Sequence, residues 1–257
     1  MVNKYFINVN MFRKIKKFAL NFIKNELQKR ELILKSVYNV NFFESCLYRL
    51  LEVKKNISFI QIGANDGVRF DPINKFIKVN KKNTSGIVIE PISNYFESLK
   101  ITYKKYPKIK ALNYAVHNTL KETIIYKVGK EHESKVPEFA IGIASFDPNH
   151  HKKTGIPSKY ISKEKVKCIS LNDLLIKEKI LNLDVLLIDT EGYDYEILIN
   201  LDFNKISPEV IHFEHGLKAN TMSIKQFEKI RSILFNENYQ LFIDSSDVTA
   251  YKSFLFH

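Results

Sequence analysis

The chain has 257 residues, of which 45% are hydrophobic and 26% are charged. This length suits one large domain or two small ones with a buried core, and the composition excludes a disordered chain. The net charge of +12 is uneven, because residues 1–55 hold twelve Lys or Arg and only four Glu. The rest of the chain is only mildly basic and rich in Lys, whereas recognition of bases and phosphates favours the forked Arg side chain. A nucleic-acid partner is therefore not expected.

Residues 1–55 are predicted to form a basic, helical N-terminal extension. Gly and Pro are absent from residues 1–62, and apolar residues recur at helical spacing among basic ones over 12–24. Such a helix could contact an anionic membrane surface peripherally, or it could pack on the domain with its Lys face in water, which is the commoner arrangement. No stretch of 18 apolar residues and no secretory cleavage site occurs. Cys46 and Cys168 lack CxxC spacing, which favours inert thiols and a cytoplasmic location.

From residue 56 onward, short apolar runs alternate with helical patterns, as is typical of a parallel sheet covered by helices on both faces. The central strands are predicted at 59–62, 86–90, 111–116, 185–188 and 210–213, and the helices at 41–54, 72–79, 95–105, 171–179, 193–201 and 224–236. An extra strand is predicted at 123–127 and a C-terminal antiparallel hairpin at 239–244 and 250–254. Residues 129–165 fit neither period and are predicted to form a long loop over the site. The fold class is thus α/β, with a doubly wound, mostly parallel sheet over residues 56–257.

The first central strand runs into a glycine-flanked turn made of Gly63, Ala64, Asn65, Asp66 and Gly67. At this edge of a doubly wound sheet, glycines let the backbone approach a nucleoside cofactor closely. A dinucleotide turn stays uncharged because it faces a pyrophosphate. The Asp66 carboxylate would repel a phosphate but would suit the amino group and sulfonium of S-adenosylmethionine. The alternative is a structural turn in which Asp66 caps a helix.

The next two strands end in residues that suit the remainder of a nucleoside. Glu90 ends the second strand, where its carboxylate can accept both ribose hydroxyls of S-adenosylmethionine or of a nicotinamide cofactor, and Pro91 follows it. Val116 and His117 end the third strand, where we expect the adenine, and His117 or Asn118 could hydrogen-bond its edge. Ordinary turn chemistry is an equal alternative for these two polar residues.

Carboxylates and histidines follow the last two parallel strands. Asp189 is the first candidate for the general base that accepts the acceptor's proton, with Glu191 beside it. Alternatively, Asp189 or Thr190 could cap the helix after Gly192. Strand alternation puts His212 and Glu214 on one face and His215 on the other, and His215 is the second candidate base. Together Asp189, Glu191, Glu214 and His215 could also ligate a divalent metal. No short-range metal spacing occurs, so we expect no metal.

In their order and spacing, these motifs resemble the FkbM-type S-adenosylmethionine-dependent methyltransferases over about residues 57–241. The matching pieces lie at residues 62–67, 89–91, 113–116, 170–175 and 188–193. The resemblance implies a class I methyltransferase (Rossmann-like) fold, S-adenosylmethionine as cofactor, and methyl transfer to a hydroxyl of a sugar, glycan or secondary metabolite. Gln61 stands where methyltransferases often place an acidic residue, Leu187 where this family commonly has Lys, and Asp194 where Glu is common.

Three other functions are alternatives at this point. An NAD-dependent oxidoreductase or epimerase would share the sheet and Glu90, but Asp66 and the missing third glycine oppose it. A nucleic-acid methyltransferase or a basic binding module is favoured only by the charged N-terminal segment. A non-catalytic scaffold would bind the cofactor without turnover. The sequence identifies neither the acceptor nor an oligomeric state.

Overall fold

A computed structural model describes residues 41–218 and 220–256. The strands, in chain order, are β1 Ile57–Ile62, β2 Thr84–Ile89, β3 Ile109–Leu112, β4 Ala115–Val116, β5 Glu122–Val128, β6 Ala144–Ser145, β7 Ile161–Ile169, β8 Val185–Ile188, β9 Val210–Glu214, β10 Tyr239–Ile243 and β11 Asp247–Lys252. The α-helices are α1 Phe42–Lys54, α2 Asn74–Val79, α3 Ser93–Tyr103, α4 Glu138–Ile141, α5 His150–Lys153, α6 Leu171–Lys177, α7 Asp194–Ile199 and α8 Ile224–Asn236. Short 3-10 segments cover Lys130–Lys135, Ser158–Tyr160 and Ser253–Phe256.

Seven strands form the main sheet, in the order β10-β11-β9-β8-β1-β2-β3. The five strands from β9 to β3 in this order are parallel, whereas β11 pairs antiparallel with both β9 and β10. The predicted fold class, an α/β and mostly parallel sheet with a C-terminal antiparallel hairpin, is confirmed. β1 and β8 are buried almost throughout, as expected for central strands covered on both faces.

The pairing register brings the chemistry to one edge of the main sheet. Ile62 at the end of β1 lies opposite both Ile89 of β2 and Ile188 of β8. The residues that follow these three strands, Gly63, Glu90 and Asp189, therefore leave the sheet side by side. In open α/β sheets this carboxyl edge is where ligands bind.

The predicted strand over 111–116 is wrong in its continuity. The chain leaves the main sheet at Asn113, whose Nδ2 donates to the backbone oxygens of Glu90 and Pro91, each at 2.9 Å. β4 then pairs with β7 in a second, four-stranded sheet of order β4-β7-β5-β6. The hydrogen bonds of the Asn113 amide to the residues after β2 thus divide residues 109–116 into two strands, where the apolar pattern predicts one.

The prediction of one long loop over 129–165 is also wrong in part. This region contains the helices α4 and α5 and strand β6, and β7 begins at Ile161. β7 pairs antiparallel with β5, and its exposed face carries Lys163, Lys165 and Lys167. Lys at alternate positions suits a strand with one face in water, because only the opposite face needs apolar side chains.

The C-terminal hairpin is displaced from its predicted position. β11 begins at Asp247 rather than at residue 250, because Asp244 closes a tight turn by accepting the N–H groups of Ser246 and Asp247. This shift brings Asp247 opposite Glu214 at the end of β9. The most basic predicted segment, residues 12–24, lies outside the described residues. Across the described ranges, none of the helices has the length and apolar character that crossing a membrane requires.

Candidate active site

A cavity of about 620 Å³ opens at the carboxyl edge of the main sheet. Its wall includes the ends of β1, β2, β8 and β9 and part of the segment between β5 and β7. Of the predicted site residues, Gly63, Ala64, Asn65, Glu90, Pro91, Val116, Asp189 and Glu191 line it. The wall does not include Asp66, Gly67, His117 or His215. The volume falls within the range usual for small-molecule and cofactor sites.

The glycine turn brings β1 and β8 unusually close together. Gly63 has φ of +82°, and a Cβ at this position would lie 1.7 Å from the backbone oxygen of Asp189. The N–H groups of Gly63 and Ala64 both donate to the Ile89 oxygen, at 3.0 and 2.9 Å. Glycine at position 63 is therefore required by the packing of the backbone and by its positive φ.

Glu90 is 5% exposed and connects the second strand to the turn. Its Oε2 accepts from the Asn65 N–H at 2.9 Å, and its Oε1 accepts from the Ile92 N–H at 2.8 Å. Burial raises the pKa of Glu90 to about 7, although these two hydrogen bonds act in the opposite direction. Each oxygen retains a free lone pair, so the carboxylate can still accept ribose hydroxyls from the cavity.

The expectation that Asp66 faces a cationic cofactor is not met by the geometry. Its Oδ1 accepts from the N–H groups of Val68 and Arg69, both at 2.9 Å, and its Oδ2 accepts from Arg69 Nε at 2.7 Å. Burial opposes ionisation, but the hydrogen bonds from Arg69 and Val68 outweigh it and lower the pKa of Asp66. The charge of Asp66 is thus used inside a structural turn, but Asp66 does not cap a helix, because the next helix, α2, begins only at Asn74.

At the expected adenine end, Val116 lines the cavity but His117 does not. The Nδ1 atom of His117 accepts from the N–H groups of Thr119 and Leu120, as in an ordinary turn. Its ring stacks on Tyr193 at 4.9 Å, and the ring of Phe146 packs edge-on against both. His117 therefore packs behind the cavity wall, in contact with Phe146. Phe146, which no sequence motif indicated, has an aromatic ring that lines the cavity.

Asp189 lines the cavity and is exposed to it, although many protein atoms surround its carboxylate. In the described part of the chain no hydrogen bond to its carboxylate occurs, and α7 begins without a side-chain cap, so Asp189 does not serve as that cap. Burial first, and then the neighbouring carboxylates of Glu191, Glu214 and others, raise the pKa of Asp189 well above its ordinary value. An unengaged carboxylate with a raised pKa has the properties of a general base.

A ring of further carboxylates surrounds Asp189. Glu191, Glu214 and Asp247 all line the cavity. Burial and the charges of its neighbours raise the pKa of Glu214 to about 7. Glu191 has φ of +53°, and its Oε2 lies 3.4 Å from Nε2 of the buried His150.

Asp194 hydrogen-bonds to two of the segments that carry these carboxylates. Its Oδ2 accepts from the Thr190 N–H at 3.1 Å and from the Thr190 hydroxyl, and its Oδ1 accepts from the Glu214 N–H at 3.2 Å. Burial raises its pKa to about 6. Asp194 thus ties the loop after β8 to the end of β9 and fixes the spacing of the carboxylates in front of it.

The two histidines near β9 have different environments. His212 lines the cavity on the same side as Glu214, as strand alternation predicted. Its ring stacks on Phe43 of α1 at 4.2 Å, its Nδ1 lies 3.0 Å from Thr249 Oγ1, and burial lowers its pKa to about 4. His215 points away from the cavity, where its Nδ1 accepts from the Leu217 N–H. Neither imidazole is therefore placed as the base.

The four residues considered as metal ligands are not brought together, because His215 is turned away from the other three. Within residues 41–218 and 220–256, no group of three or more His, Cys, Asp or Glu side chains is arranged to hold a metal ion.

The structure adds cavity residues that the motifs did not reveal, chiefly Arg69, Asp71 and Asp247, and it places Gln61 in the wall as well. Arg69 and Asp71 follow the glycine turn by only a few positions, so their distance in sequence from the turn could have indicated that they line the cavity. Asp247 gave no such signal, since its position depends on the register of the C-terminal hairpin.

The cavity fits S-adenosylmethionine on the structure's own terms. Gly63 and Gly142 let neighbouring segments of the wall approach each other closely, since a Cβ on Gly142 would lie 2.4 Å from Asn65 Nδ2. Glu90 presents hydroxyl acceptors, and the buried Gln61 Oε1 has no hydrogen-bond partner among the described residues. Unpaired buried acceptors are uncommon in proteins and are often satisfied by a ligand or water.

Fold and cavity together define an α/β protein with a small-molecule-sized cavity at the carboxyl edge of its mostly parallel sheet. The family profile described as "Methyltransferase FkbM domain" matches residues 61–241, more than half of the chain. The chain therefore belongs to the FkbM methyltransferase family, whose activity is S-adenosylmethionine-dependent methyl transfer. This membership favours the methyltransferase prediction over the oxidoreductase alternative.

Several solved structures are similar to the chain at low identity. A precorrin-6y C5,15-methyltransferase from Geobacter metallireducens GS-15 is 12% identical, with 85% of this chain and 92% of that chain covered and a TM-score of 0.42. The METTL16 methyltransferase domain is 11% identical, with coverages of 86% and 70% and a TM-score of 0.45. A human methyltransferase 10 domain containing protein is 10% identical, with coverages of 82% and 80% and a TM-score of 0.43. No curated protein sequence matches the chain.

Proposed function

We propose that this protein is an O-methyltransferase that acts on a hydroxyl group of an uncharged sugar, glycan or other small metabolite, with Asp189 as general base. The observation that carries the proposal is the Asp189 carboxylate. It stands at the end of a central strand, open to the cavity, without a described hydrogen bond and with a raised pKa. These properties suit a group that must take a proton from an acceptor hydroxyl near neutral pH.

The charges of the cavity wall support an uncharged acceptor. Glu191, Glu214 and Asp247 line the cavity with Asp189. Among the described residues of the wall, Arg69 alone carries a permanent positive charge, and its Nε donates to Asp66. Carboxylates accept hydrogen bonds from hydroxyl groups and repel phosphates. The wall therefore favours a polyhydroxyl acceptor over a nucleotide sugar or a nucleic acid.

The nucleoside half of the cofactor is assigned to the other end of the cavity. Glu90 would hold the ribose hydroxyls, the turn of Gly63, Ala64 and Asn65 would lie against the donor, and Pro91 and Val116 would border the adenine. When bound, S-adenosylmethionine supplies an electrophilic methyl group on a positively charged sulfur. The protein contributes by holding the acceptor oxygen in line with that methyl group and by taking the hydroxyl proton on Asp189.

The proposal is tested by incubating the protein with S-adenosylmethionine and two matched panels of acceptors. One panel holds neutral glycosides and the other holds nucleotide sugars of the same monosaccharides, and methylation is read by mass spectrometry. We expect methyl transfer to oxygen in the neutral panel. Transfer only to phosphate-bearing acceptors, or only to nitrogen or carbon, would contradict the proposal.

Asp189→Asn tests the base separately. This change keeps the size of the side chain but removes its capacity to accept a proton, so we expect kcat to fall by ~10²- to 10⁴-fold. The affinity for S-adenosylhomocysteine, measured by calorimetry, should be retained. Asp202→Asn, which alters a partly exposed carboxylate that pairs with Lys205 outside the cavity wall, is the matched control and should leave both quantities unchanged.

A further inference from the structure

Gln61 and Asp71 form a polar pair in the cavity wall that has no role in the proposed proton transfer. Gln61 is 4% exposed, and its Oε1 has no hydrogen-bond partner among the described residues. The Gln61 side chain lies close enough to the Asp71 carboxylate to act against the rise in its pKa, so the unpaired oxygen is near a negative charge. Both side chains border the cavity. Two adjacent acceptors, one of them lacking a donor, indicate a ligand that brings several N–H or O–H groups.

The Asp71 carboxylate is only partly used by its own segment. Its Oδ1 accepts from the N–H groups of Ile73 and Asn74, both at 2.8 Å, which fixes the chain just before α2. Its Oδ2 has a long contact of 3.5 Å with the Tyr103 hydroxyl, which leaves room for a stronger donor. Burial raises the pKa of Asp71, and a cationic partner would offset this cost of keeping the group ionised.

The other carboxylates near the turn are not free for such a ligand. Asp66 is bound to Arg69, and Glu90 is bound to the N–H groups of Asn65 and Ile92. Gln61 itself is neutral at a position where many methyltransferases have an acidic residue. The carboxylate whose pKa the Gln61 side chain influences is that of Asp71.

We propose that Asp71 and Gln61 together bind the α-ammonium group of the methionine part of S-adenosylmethionine. Asp71 supplies the charge, and the unpaired Gln61 oxygen supplies a second acceptor for the three ammonium hydrogens. The inference rests on the same cofactor site as the proposed function, but it does not depend on the identity of the methyl acceptor or on Asp189.

The test compares three ligands by calorimetry on the full chain. S-adenosylhomocysteine carries the ammonium and carboxylate groups, its deaminated analogue keeps only the carboxylate, and 5′-methylthioadenosine has neither. Asp71→Asn retains an oxygen that can cap α2 and removes only the charge. We expect this variant to bind S-adenosylhomocysteine ~10- to 100-fold more weakly, the scale of a lost charge-assisted hydrogen bond. Its affinities for the other two ligands should not change.

Two further variants keep the test independent of folding. Gln61→Met removes the unpaired oxygen at similar size, and it should also weaken S-adenosylhomocysteine selectively. The double variant Asp71→Asn with Gln61→Glu moves the charge to the other member of the pair, and it should restore most of the lost affinity.

The possible outcomes separate this inference from the proposed function. Equal weakening of all three ligands in the Asp71 variant, or no weakening of S-adenosylhomocysteine, overturns the ammonium assignment while the cofactor assignment stands. If the wild-type protein binds none of the three ligands, the cofactor assignment and this inference both fail. Selective loss with rescue in the double variant supports the inference, even if no acceptor is ever methylated.

Discussion

Gly63→Ala is expected to disturb the core of the site through one atom. The added Cβ would lie 1.7 Å from the Asp189 oxygen, so β1 and β8 would have to separate locally by at least ~1.3 Å to reach 3.0 Å. Both partners are backbone atoms directly after the central strands β1 and β8, and no side chain can rotate away. To this is added the cost of holding Ala at a φ of +82°, about 1–2 kcal/mol. We expect the free energy of unfolding to fall by at least ~3 kcal/mol.

Gly155→Ala is the matched control for this prediction. Gly155 also has a positive φ, +73°, but a Cβ there would meet nothing within 4 Å. It should therefore show the backbone cost alone, about 1–2 kcal/mol. The measurement is urea unfolding of both variants and the wild type, followed by circular dichroism, with S-adenosylhomocysteine affinity measured on the folded proteins. Equal losses of stability in the two variants, or intact ligand affinity in Gly63→Ala, would refute the reasoning.

Further predictions concern pH and ion pairs. Because the pKa of Glu90 is raised to about 7, S-adenosylhomocysteine affinity should fall as the pH drops through that value, and Glu90→Gln should flatten the calorimetric profile. The pKa of His212 is lowered to about 4 in the folded protein, so between pH 6.5 and 4 the unfolded chain binds a proton that the folded chain does not. The free energy of unfolding should therefore be intact above pH 6.5 and fall from there towards pH 4. Urea unfolding at each pH should show a larger fall in the wild type than in His212→Gln. Asp184 accepts hydrogen bonds from both the N–H and the hydroxyl of Ser58, so Asp184→Ala should lower the free energy of unfolding by ~2–4 kcal/mol. Lys54→Met removes the half-exposed ion-pair partner of Asp184, and it should lower the free energy of unfolding by ~1 kcal/mol or less in the same assay.

The central part of the fold was predictable because its signals are local. Strands β1, β8 and β9 are apolar runs that end in Gly, Asp or Glu, and their parallel pairing follows from the helices between them. The same logic placed Gly63, Glu90 and Asp189 at one edge. The helix over 224–236 was predicted with its observed limits, and in the structure Ser223 and Gln226 form a capping box at its start.

What the sequence could not show are the side-chain partners across distant segments. The sequence suggests that Asp66 is a free carboxylate in the turn, and only the folded chain shows that Arg69 forms an ion pair with it. Asn113 reads as part of an apolar strand, but its contacts with Glu90 and Pro91 end that strand. In both cases one polar side chain decides the outcome, and apolar periodicity carries no information about where such a side chain points.

The smaller, four-stranded sheet has a consequence for engineering the specificity of this enzyme. The segment between β5 and β7 contacts both halves of the active site, since Ser145 Oγ donates to the Glu191 oxygen at 2.9 Å and Gly142 lies against Asn65. A graft of this segment from a relative would therefore have to keep a small residue at 142 and a hydroxyl at 145. A chimera with other residues at these two positions would bind S-adenosylmethionine more weakly, even if it accepted a new methyl acceptor.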